Sequence, residues 1–319
     1  IKYEKSRAHD EPVWKIKAEP HVMLRLKRHF PRVSQKLDEL VFTDTLEVCR
    51  DLEWFLSRYP LEADKKTLQR ITDGAREHER HEQQTHDILS LIVPGDRFEL
   101  AEPARDYQMV GAELAYHVRG LLLADDMGLG KTVTALCRLT RPETRPALVS
   151  TKTALPWQWE RMVKRFAPSL RTHVITKGSP VDGKGKRYEL GRIERGADGK
   201  PVSVFPDVVI TNHHKLSGWR DELAGKFRTV IWDEGQAFRN PETAMSSAAY
   251  HIRSKATWCM MLTGTPIHNL GDEMHPIVDL VQPGRLGDKE EFLQEWCKRE
   301  SRGKGSLKDT DAFGSYHRP

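Results

Sequence analysis

Apolar residues follow two different rhythms along this chain, and the change between them divides it. Up to about residue 103 they recur mostly at helical spacing. Residues 13–17 (VWKIK) alternate like a short strand that Glu19-Pro20 closes, and residues 22–27 (VMLRLK) begin a helix that Pro31 is expected to stop. Two further helices are predicted over 37–59 and over 65–93, the second highly charged. Pro94-Gly95-Asp96 reads as a turn, and a domain boundary is placed near it.

From about Arg105 onward, short apolar runs alternate with helical stretches. Strands are predicted over 120–124, 147–150, 173–176, 208–211, 229–233 and 259–263, with helices such as 131–139, 155–166 and 242–252 between them. This alternation predicts an α/β fold, an open parallel sheet with helices on both faces, preceded by a mainly helical domain with a short β element. In such sheets ligands gather at the carboxyl ends of the strands. Residues 177–200 interrupt the pattern with six glycines and seven Lys/Arg against four Asp/Glu. They read as a flexible surface hairpin or loop, with contact to a phosphate backbone as the sharper alternative. Residues 303–319 read as a polar tail or linker.

Composition narrows the class. The 319 residues include 51 Lys+Arg and 46 Asp+Glu, a formal charge of +5, with 38% hydrophobic and 30% charged positions. That is a globular balance, which permits a nucleic-acid partner without requiring one. No apolar run reaches the length of a membrane span, and residues 1–7 hold no signal-peptide core. The absence of an initial Met predicts an N-terminus further upstream. Cys49, Cys137, Cys259 and Cys297 form no CxxC pair, which argues against a zinc or redox motif and for a reducing compartment. The expected location is intracellular: cytoplasmic for a bacterial or viral protein, nuclear for a eukaryotic one.

Three segments carry chemistry. Residues 125–132 (DDMGLGKT) follow a predicted strand and open a predicted helix, the context of a phosphate-binding loop. Glycines there let backbone N–H groups cradle phosphate oxygens beside a helix N-terminus. Lys131 would reach the β- and γ-phosphates and the Thr132 hydroxyl would ligate Mg²⁺. The general pattern has Gly at the first position, where this chain has Asp125. Residues 229–234 (TVIWDE) place two acids at a strand end, Asp233 for the Mg²⁺ and Glu234 to polarise an attacking water. Residues 261–266 (MLTGTP) bring small hydroxyl side chains to a third strand end, able to sense a γ-phosphate or touch the acids.

Together these segments resemble motifs I, II and III of the SNF2 family of helicase-like DNA translocases, as 125–132, 233–240 (DEGQAFRN) and 262–270 (LTGTPIHNL). The Asp125 that departs from the general pattern is usual in that family. Residues 105–108 (RDYQ) with Gly111 resemble the segment whose glutamine reads the adenine. Residues 147–166 and 207–216 resemble motifs Ia and Ib, and 276–296 the helical end of the first lobe. The resemblance implies a RecA-like P-loop lobe over 97–300, an accessory domain over 1–96, and 301–319 leading towards a second lobe, with its arginine finger, beyond the C-terminus. It implies an ATP hydrolase driving movement on double-stranded DNA, branched or single-stranded DNA being further possible partners, with no membrane partner. Lys131, Asp233 and Glu234 would be catalytic. Gln108, Met127, Gly128, Leu129, Gly130, Lys131 and Thr132 would bind ATP. Gln236, Thr263, Gly264 and Thr265 would couple the nucleotide to movement. Lys152, Thr211, Asn212 and Arg239 would touch DNA, with Ser150, Thr151 and Thr265 next. Motif II has Gln236 where many relatives have His, which predicts altered coupling more than lost hydrolysis. Residues 14–31 are similar to the segment before the motor in annealing-helicase-like members.

Two rival readings are a DEAD-box-like RNA helicase, disfavoured by Thr-Gly-Thr-Pro in place of Ser-Ala-Thr, and a non-catalytic nucleotide-responsive DNA-binding module. His81 and His86 miss the H-E-x-x-H spacing by one residue, and on a helix they point about 140° apart, so they predict a solvated face rather than a zinc site. His213-His214 is likewise not expected to bind metal. Trp157 and Trp159 are both expected to pack in the core.

Overall fold

The computed structural model describes residues 1–5, 12–30, 39–90, 98–195, 201–265, 271–287, 289–299 and 305–309. The Pro31 stop, the 94–96 turn, Pro266 to Leu270 of motif III and most of the expected tail lie outside these residues. The chain divides into two compact units, Ile1–Asp87 and Ile88–Arg318.

The first unit holds β1 (Lys2–Lys5), β2 (Pro12–Ile16), α1 (Pro20–His29), β3 (Leu40–Thr43), α2 (Leu46–Leu56) and α3 (Lys65–Ser90), the last running just past its boundary. Its three strands form an antiparallel sheet in the order β1-β2-β3. The helix expected over 37–59 is therefore a strand followed by a shorter helix. Leu40 and Phe42 alternate inward with Val41 and Thr43 outward. The Thr45 hydroxyl then accepts from Val48 N at 3.2 Å and starts α2 as its N-cap. Trp14, Ile16, Leu26, Leu40, Leu52 and Phe55 lie in its core.

The second unit comprises α4 (Asp106–Val118), β4 (Gly120–Leu123), α5 (Lys131–Leu139), β5 (Ala147–Thr151), α6 (Pro156–Phe166), β6 (Thr172–Val174), β7 (Arg192–Arg195), β8 (Pro201–Val204), β9 (Val208–Asn212), α7 (Leu216–Leu223), β10 (Thr229–Asp233), α8 (Ala244–Arg253), β11 (Trp258–Leu262), α9 (Met274–Val281), α10 (Lys289–Trp296), β12 (Cys297–Arg299) and β13 (Gly305–Leu307). Six strands form one parallel sheet in the order β4-β11-β10-β5-β9-β6. Apolar residues alternate between its faces. Val149, Ile210, Ile231, Met260 and Leu262 pack with α4, α5 and α6, while Leu148, Val209, Val230, Trp232 and Met261 pack with α7, α8 and α9. Strands covered on both faces are apolar over most of their length, which is why they read as nearly continuous runs in the sequence.

The expected parallel sheet flanked by helices is thus present. β7, at the end of the Gly-rich interruption, pairs antiparallel with β8 just beyond it. Residues 305–307, expected in a tail, pair with β12. The two tryptophans of α6 part company: Trp159 is buried and Trp157 is 53% exposed. Residues two apart on a helix point about 200° apart, so one inward face cannot hold both. All four cysteines are buried free thiols. Among the described residues no helix is long and apolar enough to cross a membrane.

Candidate functional site

The sheet order leaves β4, β11, β10 and β5 as neighbours, so the loops after these four strands meet at their carboxyl ends. After β4 the chain turns through residues 124–130 into α5, with Gly128 at φ 89° and Gly130 at φ 74°. Gly130 is the N-cap of α5 in left-handed conformation, and a Cβ there would also lie 2.5 Å from Gln108 Nε2. The unpaired N–H groups of the first turn of α5 therefore open onto this loop. Lys131 Nζ arches back over it and donates to the carbonyl oxygens of Asp125 (2.8 Å) and Asp126 (3.1 Å).

Gln108 and Tyr107 brace the loop from α4. Gln108 Nε2 donates to the Leu129 carbonyl at 2.9 Å, its Oε1 accepts from Arg105 N at 2.9 Å, and the Tyr107 hydroxyl donates to the same Leu129 carbonyl at 2.8 Å. Motif III approaches from β11: a Cβ on Gly264 would lie 3.0 Å from Met127 Cγ and 3.9 Å from Lys131 Nζ.

At the end of β10, Asp233 Oδ2 accepts two hydrogen bonds of 2.7 Å, from the Thr151 hydroxyl and from Trp159 Nε1. Both donors orient the carboxylate through Oδ2, and neither engages Oδ1. Burial pushes the Asp233 carboxyl above its ordinary pKa, against the pull of both hydrogen bonds. His213 supports the same strand end from behind. Its Nε2–H donates to the Asp233 carbonyl at 3.0 Å while Nδ1 accepts from the Ser150 hydroxyl at 2.8 Å, the tautomer these partners require.

Glu234 follows at φ 56°, ψ 47°, a left-handed conformation that few non-glycine residues adopt. That turn carries its side chain back over the strand ends. Oε2 accepts from Lys152 Nζ at 2.7 Å and from Gln236 Nε2 at 2.7 Å. Gln236 Oε1 in turn accepts from the Thr263 hydroxyl at 2.8 Å, and Thr263 Oγ1 accepts from Thr265 N at 3.0 Å. Burial pushes the Glu234 carboxyl up, but the hydrogen bonds from Lys152 and Gln236 outweigh it and hold it below its ordinary pKa. A continuous chain Thr263–Gln236–Glu234–Lys152 therefore joins the ends of β11, β10 and β5.

The residues expected to touch DNA separate into two groups. Lys152, with 55% of its side chain exposed, and Arg239, also exposed and 3.8 Å from Glu273, stand at the surface. Thr211 is instead 0% exposed and cannot present its hydroxyl to a backbone. Asn212 is buried and its Oδ1 caps the turn at Lys215 N (3.2 Å). Ser150 and Thr151 are buried too, and spend their hydroxyls on His213 and Asp233. The residues that sequence reasoning missed are Trp159, His213 and the supporting role of Thr151; each acts across a long loop, with no local motif to signal it.

Burial lowers the His213 pKa to about 4, against an ordinary 6.5. The folded value lies below the unfolded one, so the unfolded chain binds the extra proton between pH 6.5 and 4. This contribution to stability is complete above about pH 6.5 and is lost as pH falls through that window. On the order of 2–3 kcal/mol is expected to be lost by pH 4.5. Urea unfolding at pH 7 and pH 4.5 checks it: His213→Asn is expected to show a smaller drop between the two than the native chain, and an equal drop contradicts it.

The family model described as the SNF2-related domain matches residues 32–312. An uncharacterized ATP-dependent helicase of Mycoplasma pneumoniae is 28% identical over 69% of the chain and 20% of its own length. The TATA-binding protein-associated factor MOT1 of Saccharomyces cerevisiae is 28% identical over 75% of the chain and 13% of its own length. The chain therefore spans a fifth or less of the length of these relatives. The Sulfolobus solfataricus SWI2/SNF2 ATPase core in complex with dsDNA superposes with a TM-score of 0.52 at 26% identity, over 65% of this chain and 41% of that one. With the loop 124–130, the paired acids and the Thr-Gly-Thr turn gathered on one edge of a RecA-like sheet, and the SNF2-related model matching most of its length, the chain belongs to the SNF2-related family.

Proposed function

We propose that this chain carries the first RecA-like lobe of an ATP-hydrolysing motor that moves on double-stranded DNA. The reading rests on one juxtaposition: the Lys131 loop, the oriented Asp233 carboxylate and the Glu234–Gln236–Thr263 chain share the same end of adjacent parallel strands. The SNF2-related match and a DNA-bound structural relative support the substrate. Residues 1–96 would be an accessory domain, 97–300 the lobe and 301–319 the lead into a second lobe that completes the site.

Lys131 and the N–H groups at the start of α5 bind and orient the phosphates. Gln108 and Tyr107 keep that loop in shape. Glu234 accepts a proton from the attacking water and aims it. Gln236 and Thr263 hold Glu234 and sense the neighbouring loop. Magnesium fits the donors at hand: the Thr132 hydroxyl and Asp233 Oδ1 are hard oxygens, and Oδ1 is the atom that neither Thr151 nor Trp159 engages. Among the described residues no group of three or more His, Cys, Asp or Glu is placed to hold a metal ion. When bound, the ion neutralises charge on those phosphates.

Trp159→Phe removes one of the two donors on Asp233 while keeping the ring. ATP turnover is expected to fall about 10- to 100-fold, the range for partners that orient a metal ligand. Thermal unfolding is expected to change little by comparison, and an unchanged turnover sinks the assigned role.

ATP turnover by the gene product that carries this chain, with duplex DNA, single-stranded DNA or RNA added and Lys131→Ala as the blank, tests the function. Stimulation by duplex DNA is expected. Turnover that no nucleic acid stimulates overturns the motor and leaves a binding module; stimulation by RNA alone moves the protein to the RNA-helicase reading.

A further inference from the structure

Lys152 stands between two of the tasks assigned above. It sits one residue beyond β5 with its side chain 55% exposed, and it is among the residues the family resemblance assigns to the DNA backbone. Its ammonium is also 2.7 Å from Glu234 Oε2, the oxygen that already accepts from Gln236. A carboxylate meant to take a proton from water thus has one oxygen occupied by two donors and its charge neutralised by a cation. The Gln236 donor is held from behind by Thr263 and stays with the motif. The Lys152 donor is on a flexible stem at the surface, and exposed ion pairs are weak. A phosphodiester has the same appetite for that ammonium and arrives with many neighbours of like charge.

We propose that Lys152 is a positioning residue that restrains Glu234 in the DNA-free protein, and that a backbone phosphate of duplex DNA takes Lys152 away and frees Glu234 for the attacking water. DNA binding and hydrolysis would then be linked by exchange of one ion pair across the ends of β5 and β10. Thr151, the preceding residue, remains on Asp233 throughout, so the metal-side carboxylate keeps its orientation while Glu234 is released. The inference rests on the motor reading and names the switch within it.

Steady-state ATP turnover, without DNA and with saturating duplex DNA, tests it on the native gene product, on Lys152→Gln and on Lys152→Arg. Loss of the pair is expected to raise the DNA-free rate of Lys152→Gln about two- to five-fold, the ratio corresponding to a surface ion pair. The stimulation factor at saturating DNA shrinks by the same ratio. Lys152→Arg keeps both the charge and the reach, and is expected to keep the native pattern. If Lys152 were merely structural, both rates of Lys152→Gln would fall together. If it only gripped DNA, the DNA-free rate would stay unchanged and only the concentration for half-stimulation would rise. Either result overturns the proposal while duplex stimulation of the native protein keeps the motor reading intact. A native protein without duplex stimulation fails the motor reading itself, and the switch with it.

Discussion

Glu234→Gln is expected to lower ATP turnover about 10²- to 10⁴-fold, the span for losing a positioned general base. Nucleotide affinity is expected to change only a few-fold, because the substitution leaves untouched the loop that Lys131, Gln108 and Tyr107 shape. The replacement is nearly isosteric. Its amide carbonyl still accepts from Lys152 or Gln236, so the left-handed backbone at this position and the chain to Thr263 are preserved. What is lost is the negative charge that, in the proposed role, takes up the proton of the attacking water. Single-turnover hydrolysis with a parallel nucleotide titration separates the two effects. Turnover within ten-fold of native would remove Glu234 from the catalytic role, and a matching collapse of affinity would mean that the substitution had disturbed the loop instead.

The second large effect is on stability. Trp219→Ala is expected to destabilise the second unit by about 3–5 kcal/mol, the range for emptying a buried tryptophan site. Trp219 is 0% exposed and packs with Leu148, Val209 and Leu223 behind the sheet. Its ring meets Tyr188 edge-on at 5.5 Å and its Nε1 donates to the Lys177 carbonyl at 2.9 Å. The truncation therefore opens a cavity and also leaves a carbonyl unpaired, at the point where the chain enters the Gly-rich stretch 177–200. For a unit of this size each kcal/mol moves the melting temperature by about 2–4 °C, so a drop of roughly 6–20 °C is expected by calorimetry. Trp219→Phe retains most of the packing and is expected to fall between. A shift below 3 °C for the alanine variant would show that the site collapses onto its neighbours instead.

Where local spacing decides an outcome, the sequence was a good guide. The helix 131–139 and the strand 229–233 coincide with α5 and β10, because a glycine-rich N-cap and an unbroken apolar run are complete signals within a few residues. The phosphate loop, the paired acids and the Thr-Gly-Thr turn could be placed at strand ends for the same reason. Local signals misled where neighbours in space outvoted neighbours in sequence. Leu40 to Thr43 continue a helical pattern but lie beside β2, and pairing with that strand, together with the Thr45 cap, makes them a strand. Thr211 has the motif position of a DNA contact, yet tertiary packing leaves it 0% exposed.

The sequence by itself determined which chemical groups this protein brings to its site: an ammonium and N–H donors at Lys131, hydroxyls at Thr132 and Thr263, and carboxylates at Asp233 and Glu234. Only the tertiary structure decided which of these groups touch. Trp159 reaches Asp233 from 74 residues away, and Lys152 reaches Glu234 from 82. A hydrogen bond forms over a few tenths of an ångström, whereas residue spacing along the chain reports distance only within a turn or a strand. Between those two scales lies the order in which the six strands pair, and that order is set by burying both faces of the sheet at once.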